Sequence, residues 1–119
     1  MGDDVIREPA RDPQDLERFL VSRQREGDVE GMLALFETSA VIDIGDGRLT
    51  RGQDAIRALY IELVATGRKF ELGVQRPALV SGDLALTSTH LSGGSVTSEV
   101  ARRQRDGTWL WVIDKYSVM

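Results

Sequence analysis

The sequence predicts an α+β domain: three N-terminal helices packed in a strongly bent antiparallel β-sheet. Three observations lead there. Apolar residues recur at helical spacing only in the first half of the chain. The second half alternates at strand period between short Gly-containing turns. Between the two, the segment from Gly27 to Asp43 changes period within a few residues, so a short helix feeds a strand directly. Helices first and consecutive antiparallel strands after is the α+β pattern.

In chain order, residues 1–11 carry charge, one proline and little periodicity, and are expected to form a flexible N-terminal arm ahead of a single domain over 12–119. Asp12-Pro13 opens the first helix, with Asp12 as N-cap and Pro13 at the first helical position, where a missing N–H costs nothing. Leu16, Phe19, Leu20 and Arg23 share a face of this helix, and Gly27 ends it in a left-handed conformation. Asp28 caps a second helix over 28–37, whose Val29, Met32, Leu33 and Phe36 form one apolar stripe. A strand over 39–44 follows, and Gly45-Asp46-Gly47 turns the chain. That turn lacks the alternating carboxylates and distal glutamate of a calcium loop. A third helix, roughly 53–66, presents Ile56, Leu59, Tyr60 and Leu63 and stops at Gly67. Strands are expected at about 70–80, 83–92, 95–105 and 108–118, separated by Ser81-Gly82-Asp83, Ser92-Gly93-Gly94-Ser95 and Asp106-Gly107.

Composition narrows the function classes. The formal net charge of −4 argues against nucleic acid or an anionic membrane as partner. Without cysteine, disulfides and thiolate metal sites are excluded, and a single histidine excludes a poly-imidazole zinc centre. No metal or other cofactor is expected. No apolar run is long enough to span a bilayer, and the start Gly2-Asp3-Asp4 is unlike a signal peptide, so a cytoplasmic location is the expectation.

Three stretches carry a resemblance. They are Gly27-Asp28-x-x-Gly31-x-x-Ala34-Leu35-Phe36-x₃-Ala40-x-x-Asp43, Gly52-x-x-Ala55-Ile56-Arg57-x-x-Tyr60, and Asp106-Gly107-x-Trp109-x-Trp111-x-Ile113-Asp114. Together they resemble the nuclear transport factor 2-like (NTF2-like) superfamily, in the branch holding ketosteroid isomerase and the SnoaL-like polyketide cyclases, from about Leu16 to Val118. The resemblance implies a cone-shaped, cystatin-like α+β barrel with an apolar cavity opening at one end. It does not imply isomerase chemistry. The isomerase base falls at Ile44, its tyrosine donor at Leu20 and its protonated aspartate near Val100, so all three chemical groups are aliphatic here. The related limonene-epoxide hydrolase arrangement needs Arg-x-Asp, whereas the fourth strand offers Glu99, Arg102 and Arg103.

The register implied by the resemblance turns Ser88 and His90, Val100 and Arg102, and Val112, Asp114 and Tyr116 toward the cavity, with Leu20, Ile44 and Tyr60 completing the lining. Asp114 then resembles the last-strand aspartate of SnoaL-like cyclases. Burial would raise its pKa into the range of a working base, and His90 could donate to a forming enolate. Hydrophobicity alone would put Trp109, Trp111 and Ile113 inside. The implied register puts them outside, on a sheet face through which a homodimer would form. Two functions stay open: an enzyme moving a proton on, or cyclising, a small hydrophobic carbonyl compound with Asp114 as base; and a non-catalytic dimeric module that binds a small apolar molecule.

Overall fold

In the computed structural model, which describes residues 6–45 and 47–118, the chain passes from helix to strand at Phe36. Helix α1 (Asp15–Arg25) is entered through a turn in which Asp12 Oδ1 accepts from Gln14 N at 2.9 Å. The helix begins later than the Asp12 cap predicts because residues 12–14 form that turn instead. Gly27, at φ 73°, closes the helix as expected. Helix α2 (Val29–Leu33) is capped by Asp28, whose Oδ1 accepts from Gly31 N at 3.0 Å. It is shorter than expected because strand β1 (Phe36–Asp43) claims Phe36. Strand β2 (Thr50–Arg51) and helix α3 (Gln53–Ala65) follow.

The remainder is β3 (Val74–Gln75), β4 (Leu79–Ser81), β5 (Leu84–Thr87), β6 (Thr89–His90), β7 (Ser98–Arg103) and β8 (Trp109–Lys115). The strand expected from 70 is delayed because the side chain of buried Gln24 takes the backbone there: it donates to Arg68 O at 2.7 Å and accepts from Phe70 N at 2.8 Å. The main sheet has the order β2-β1-β8-β7-β5-β4, and β3 pairs with β6 separately. One expectation is corrected here. The β1–β8 pair is parallel, whereas every other pair is antiparallel. Strands adjacent in sequence return through hairpins, but the first and last strands are joined by most of the chain and are free to run the same way. The described sheet also stays open, with β2 and β4 as its edges, in place of a closed barrel.

The core gathers where the helices cover the sheet. Leu16, Met32, Leu35, Ile42, Ile56, Tyr60 and Trp111 are fully buried there. Phe36 stacks obliquely on Tyr60 and Trp111, at ring separations of 5.9 and 5.3 Å. Small Ala85 and Ala101, paired across β5 and β7 and buried, suit an interior that must also accommodate the indoles. The N-terminal arm expected to be flexible is anchored from Arg7 onward; residues 1–5 lie outside the described residues. Arg7 pairs with Asp28 through Nε and Nη2, at 2.8 and 2.7 Å. Arg23 donates to Glu8 O at 2.7 Å and to Gly31 O at 2.8 Å, while Trp109 N bonds Ala10 O at 2.8 Å. Gly31 belongs to this latch, since a Cβ there would strike the Asp28 carboxylate and come within 2.7 Å of Arg7 Nε.

Candidate functional site

A bulge in the last strand decides what faces the interior. Across the β7–β8 ladder Ala101 opposes Trp111 and Val100 opposes Ile113, so Val112 is the extra residue. Strand parity inverts at a bulge. Trp109 and Trp111 are therefore buried before it and Asp114 after it, at 4% exposure, while Ile113 points outward. The expectation that Trp109 and Trp111 lie on an outer dimer face is corrected: they belong to the core. Simple alternation could not satisfy both hydrophobicity at the tryptophans and an inward Asp114; the bulge does.

Two further acids meet Asp114 from other elements. Glu99 on β7 is buried at 2% exposure, beside Thr87, whose hydroxyl donates to its Oε1 at 2.7 Å. Glu17 on α1 keeps part of its surface in solvent. Burial of its carboxyl group, with Glu99 nearby, nevertheless pushes it up to about 8. Asp114 is raised well above the ordinary carboxylate range, chiefly by burial and then by Glu99 and Glu17. Glu99 is raised less simply: burial disfavours its anion, but the hydroxyls of Thr97 and Thr87 favour it. No cation acts appreciably on any of the three. Glu17 therefore holds at neutral pH a proton that it would release in water.

Two tyrosines complete the cluster. Tyr60, fully buried on α3, and Tyr116, just beyond β8 and packed against the core, lie beside each other and beside Asp114. Burial raises both phenols, Tyr60 with added pressure first from Tyr116 and Tyr116 from Asp114. The two hydroxyls neighbour each other and have no other hydrogen-bond partner, and Trp111 Nε1–H has none. A buried polar group left so costs about 1–3 kcal/mol. Two tyrosine hydroxyls with no partner beyond each other, beside buried Asp114, are an arrangement that core packing alone does not explain.

The other expected lining residues separate. Leu20 is buried, and Ile44 packs against the core, where it also lines a groove of about 360 Å³ with Leu59 and Leu63 of α3. Asp114 does not line that groove. Val112 is half-buried at the bulge. His90 is exposed, paired with Val74 and bridged to Val96, so the expectation that it faces the interior is corrected. Ser88 is half-buried, and its carbonyl accepts from Arg76 N. Val100 stands between Leu86 and Ile113, and exposed Arg102 pairs with Glu37 at 2.9 Å. The inward register expected for Ser88, His90, Val100 and Arg102 is thus reversed. Ala85, Thr87, Thr89, Thr97, Glu99 and Ala101 are the buried positions. The outward face carries larger aliphatic residues such as Leu86, and the register implied by the resemblance is one residue out of step with it.

Glu17 was not among the expected site residues, and Glu99 was not assigned to the interior. A signal existed for each. Glu17 interrupts the apolar stripe of α1, three and four positions before buried Leu20 and Val21. Glu99 alternates with Thr97 and Ala101 and falls opposite Thr87. Among the described residues no group of three or more carboxylates or imidazoles is arranged to hold a metal ion.

No protein-family model matches the chain, and no curated protein matches it by sequence. Solved structures do match. An NTF2-like protein with a cystatin-like fold from Novosphingobium aromaticivorans superposes with TM-score 0.60 and 22% identity, over 85% of this chain and 75% of that one. A putative dehydratase of the NTF2-like family from Streptomyces avermitilis gives TM-score 0.70 and 18% identity, over 86% and 89%. A ketosteroid isomerase-like protein from Erwinia carotovora gives 0.65 and 14%, over 86% and 89%. At these identities the likeness is one of fold: the chain has the NTF2-like, cystatin-like fold.

Proposed function

We propose that the buried acid–tyrosine cluster binds a small, largely apolar carbonyl compound and isomerises or cyclises it by proton transfer, in the manner of a SnoaL-like enzyme. The observation that carries this reading is Asp114, a carboxyl sequestered from water beside two tyrosine hydroxyls that have no partner beyond each other. In the reaction, the Asp114 carboxylate takes a proton from the carbon next to the carbonyl, and the C–H electron pair moves into the enolate. A Tyr60 or Tyr116 hydroxyl donates to the enolate oxygen, the role the sequence assigned to His90. The proton on Asp114 then returns to carbon elsewhere on the same molecule, so nothing is consumed. Burial, which raises the Asp114 pKa, makes its carboxylate a stronger base than it would be in water.

The test has two steps. Native mass spectrometry of protein purified from its own host identifies a retained small molecule, and that compound or its carbonyl analogue is then offered to Asp114→Asn. The variant keeps the shape and loses the base: binding survives and turnover falls by about 10²–10⁴-fold. Undiminished turnover refutes the catalytic role.

A second reading is a non-catalytic binding module. What favours it is the 360 Å³ groove, lined by Ile44, Leu59, Leu63 and Ala65 together with Arg48, Glu62 and Thr66, which suits an apolar ligand with a polar end without any of the buried acids. A retained ligand that Asp114→Asn neither releases nor protects from turnover supports it.

The homodimer moves to a different set of residues. Pairing places Leu79, Leu86, Val100 and Ile113 side by side across β4, β5, β7 and β8. Leu79, Leu86 and Ile113 are 69%, 46% and 50% exposed. This outward row is bracketed by the ion pairs Arg102–Glu37 and Lys115–Asp43. A continuous apolar row with a charged border fits a partner copy.

A further inference from the structure

Asp114 meets one other carboxyl through the backbone ladder itself. In the antiparallel β7–β8 pair Glu99 stands directly opposite Asp114, on the regular stretch beyond the bulge. Both side chains turn inward, at 2% and 4% exposure. Directly opposed residues on one face of a sheet hold their Cβ atoms about 5 Å apart, which brings the two carboxyl groups within reach of each other. The row continues beyond Glu99. Thr87 of β5 opposes it, and the Thr87 hydroxyl donates to Glu99 Oε1 at 2.7 Å. On the other side of Asp114 stands Ile42 of β1, whose side chain has no polar atom. The two acids therefore sit in unequal surroundings. Glu99 has a hydroxyl donor that favours its anion, whereas among the described residues no donor bonds the Asp114 carboxyl. Two anions side by side in a buried site repel, and burial first, then Glu99, raises Asp114. One proton between the carboxyls relieves that repulsion, and the donor at Glu99 places it on Asp114. The proposed reaction, however, needs Asp114 as a carboxylate.

We propose that Glu99 is a positioning residue for this base: it shares one proton with Asp114 across the β7–β8 ladder and takes that proton over when Asp114 acts. This rests on the reading of Asp114 as the base and adds how the base is freed without losing a proton to water. The Asp114 O–H bond breaks and an O–H bond forms at Glu99, so the single negative charge of the pair passes from Glu99 to Asp114. Asp114 then takes the proton from carbon and returns it to carbon, and the shared proton moves back. The other titratable groups that face the pair are Glu17 on α1, Tyr60 on α3 and Tyr116 beyond β8. None of these is a cation that would hold both carboxyls ionised.

The experiment is a carboxyl titration of the full chain by NMR, with ¹³C at the aspartate and glutamate carboxyl carbons. Asp114→Asn and Glu99→Gln assign the two resonances, and no ligand is needed. The pair is expected to ionise in two linked steps, Glu99 changing mainly in the first and Asp114 mainly in the second, with each resonance responding in both. In Glu99→Gln, which keeps the side-chain shape, Asp114 is expected to ionise in one step and at least about one pH unit lower, a tenfold or greater loss of proton affinity. Thr87→Val keeps the branched shape and removes the donor to Glu99. It is expected to raise the first step and to draw part of the Asp114 change into it, and Thr87→Ser is expected to restore the wild-type profile. An Asp114 titration that is single and identical in wild type and Glu99→Gln overturns the pair. A folded Thr87→Val protein that titrates as wild type also overturns it, and this variant decides the matter if Glu99→Gln does not fold. Undiminished turnover by Asp114→Asn belongs to a separate assay, so a failure of the base itself is told apart from a failure of the pair.

Discussion

Replacing Glu17 by Gln should stabilise this protein, and by an amount that depends on pH. In water Glu17 ionises near 4.5, whereas in the folded chain burial and Glu99 push it up to about 8. A group whose folded pKa is raised in this way contributes fully to stability only below its unfolded pKa; the contribution is lost as pH climbs from about 4.5 toward 8. At pH 7 the unfolded chain gains the ionisation that the fold denies, worth at most about 3 kcal/mol. Because Glu17 keeps some contact with solvent, a working figure is about 1–2 kcal/mol. Gln fills the same space and cannot ionise. The variant should match wild type at pH 4 and exceed it at pH 7.5, by roughly 3–10 °C in Tm for a domain of this size. Differential scanning calorimetry across pH 4–8 measures the difference curve. A difference that is flat with pH, or wild type gaining on the variant as pH rises, would show Glu17 ionised in the fold and would refute the account of the cluster.

Other perturbations test other parts of the structure. Asp28→Ala removes the α2 cap and the Arg7 pair together and should cost about 1–3 kcal/mol by urea denaturation. Arg7 first, opposed by burial, holds the Asp28 carboxyl below its usual range, so this contribution is present above about 3.8 and disappears as pH falls through the lowered value. Gly31→Ala should break the same latch by steric contact, at about 1–2 kcal/mol; a neutral substitution would mean that the arm does not hold Asp28 in place. Leu86→Lys combined with Ile113→Lys should convert a dimer to a monomer in light scattering without altering the far-UV spectrum, and an unchanged mass would remove the outer row as an interface. Trp111→Ser should unfold the chain or lower its stability by about 3–5 kcal/mol; a well-folded monomer would instead revive the outward placement of the tryptophans.

The helices were legible in the sequence because their signals are local. Asp28 accepts from Gly31 N, Gly27 takes positive φ, and the stripe of Ile56 and Tyr60 is buried as periodicity requires. The fold family was legible from the same stretches. What alternation could not supply was the register of the sheet. The bulge at Val112 places Trp111 and Asp114, three residues apart, on the same side of the sheet, which strict period two forbids. In β5 and β7 the smaller and more polar residues face inward to accommodate large side chains arriving from other strands, while Leu86 and Val100 face outward. The register carried over from the resemblance turned the wrong face of these strands inward and left the row of Leu79, Leu86 and Ile113 unrecognised as the exposed face. His90 and Arg102 were misplaced by that one-residue parity. Glu17 was overlooked because a glutamate in the first turn of a helix ordinarily serves the helix dipole and faces water.

The central claim is that Asp114 is a sequestered acid poised for proton transfer, and its own titration tests this most directly. Protein carrying ¹³C at aspartate carboxyl carbons, compared with Asp114→Asn to assign the resonance, is followed by NMR from pH 3 to 9. The account predicts a carboxyl that stays protonated beyond the ordinary value of 3.8 and that ionises earlier in Glu17→Gln, where one repelling charge is gone. An Asp114 resonance that completes its titration near 3.8, and is indifferent to Glu17, would contradict it.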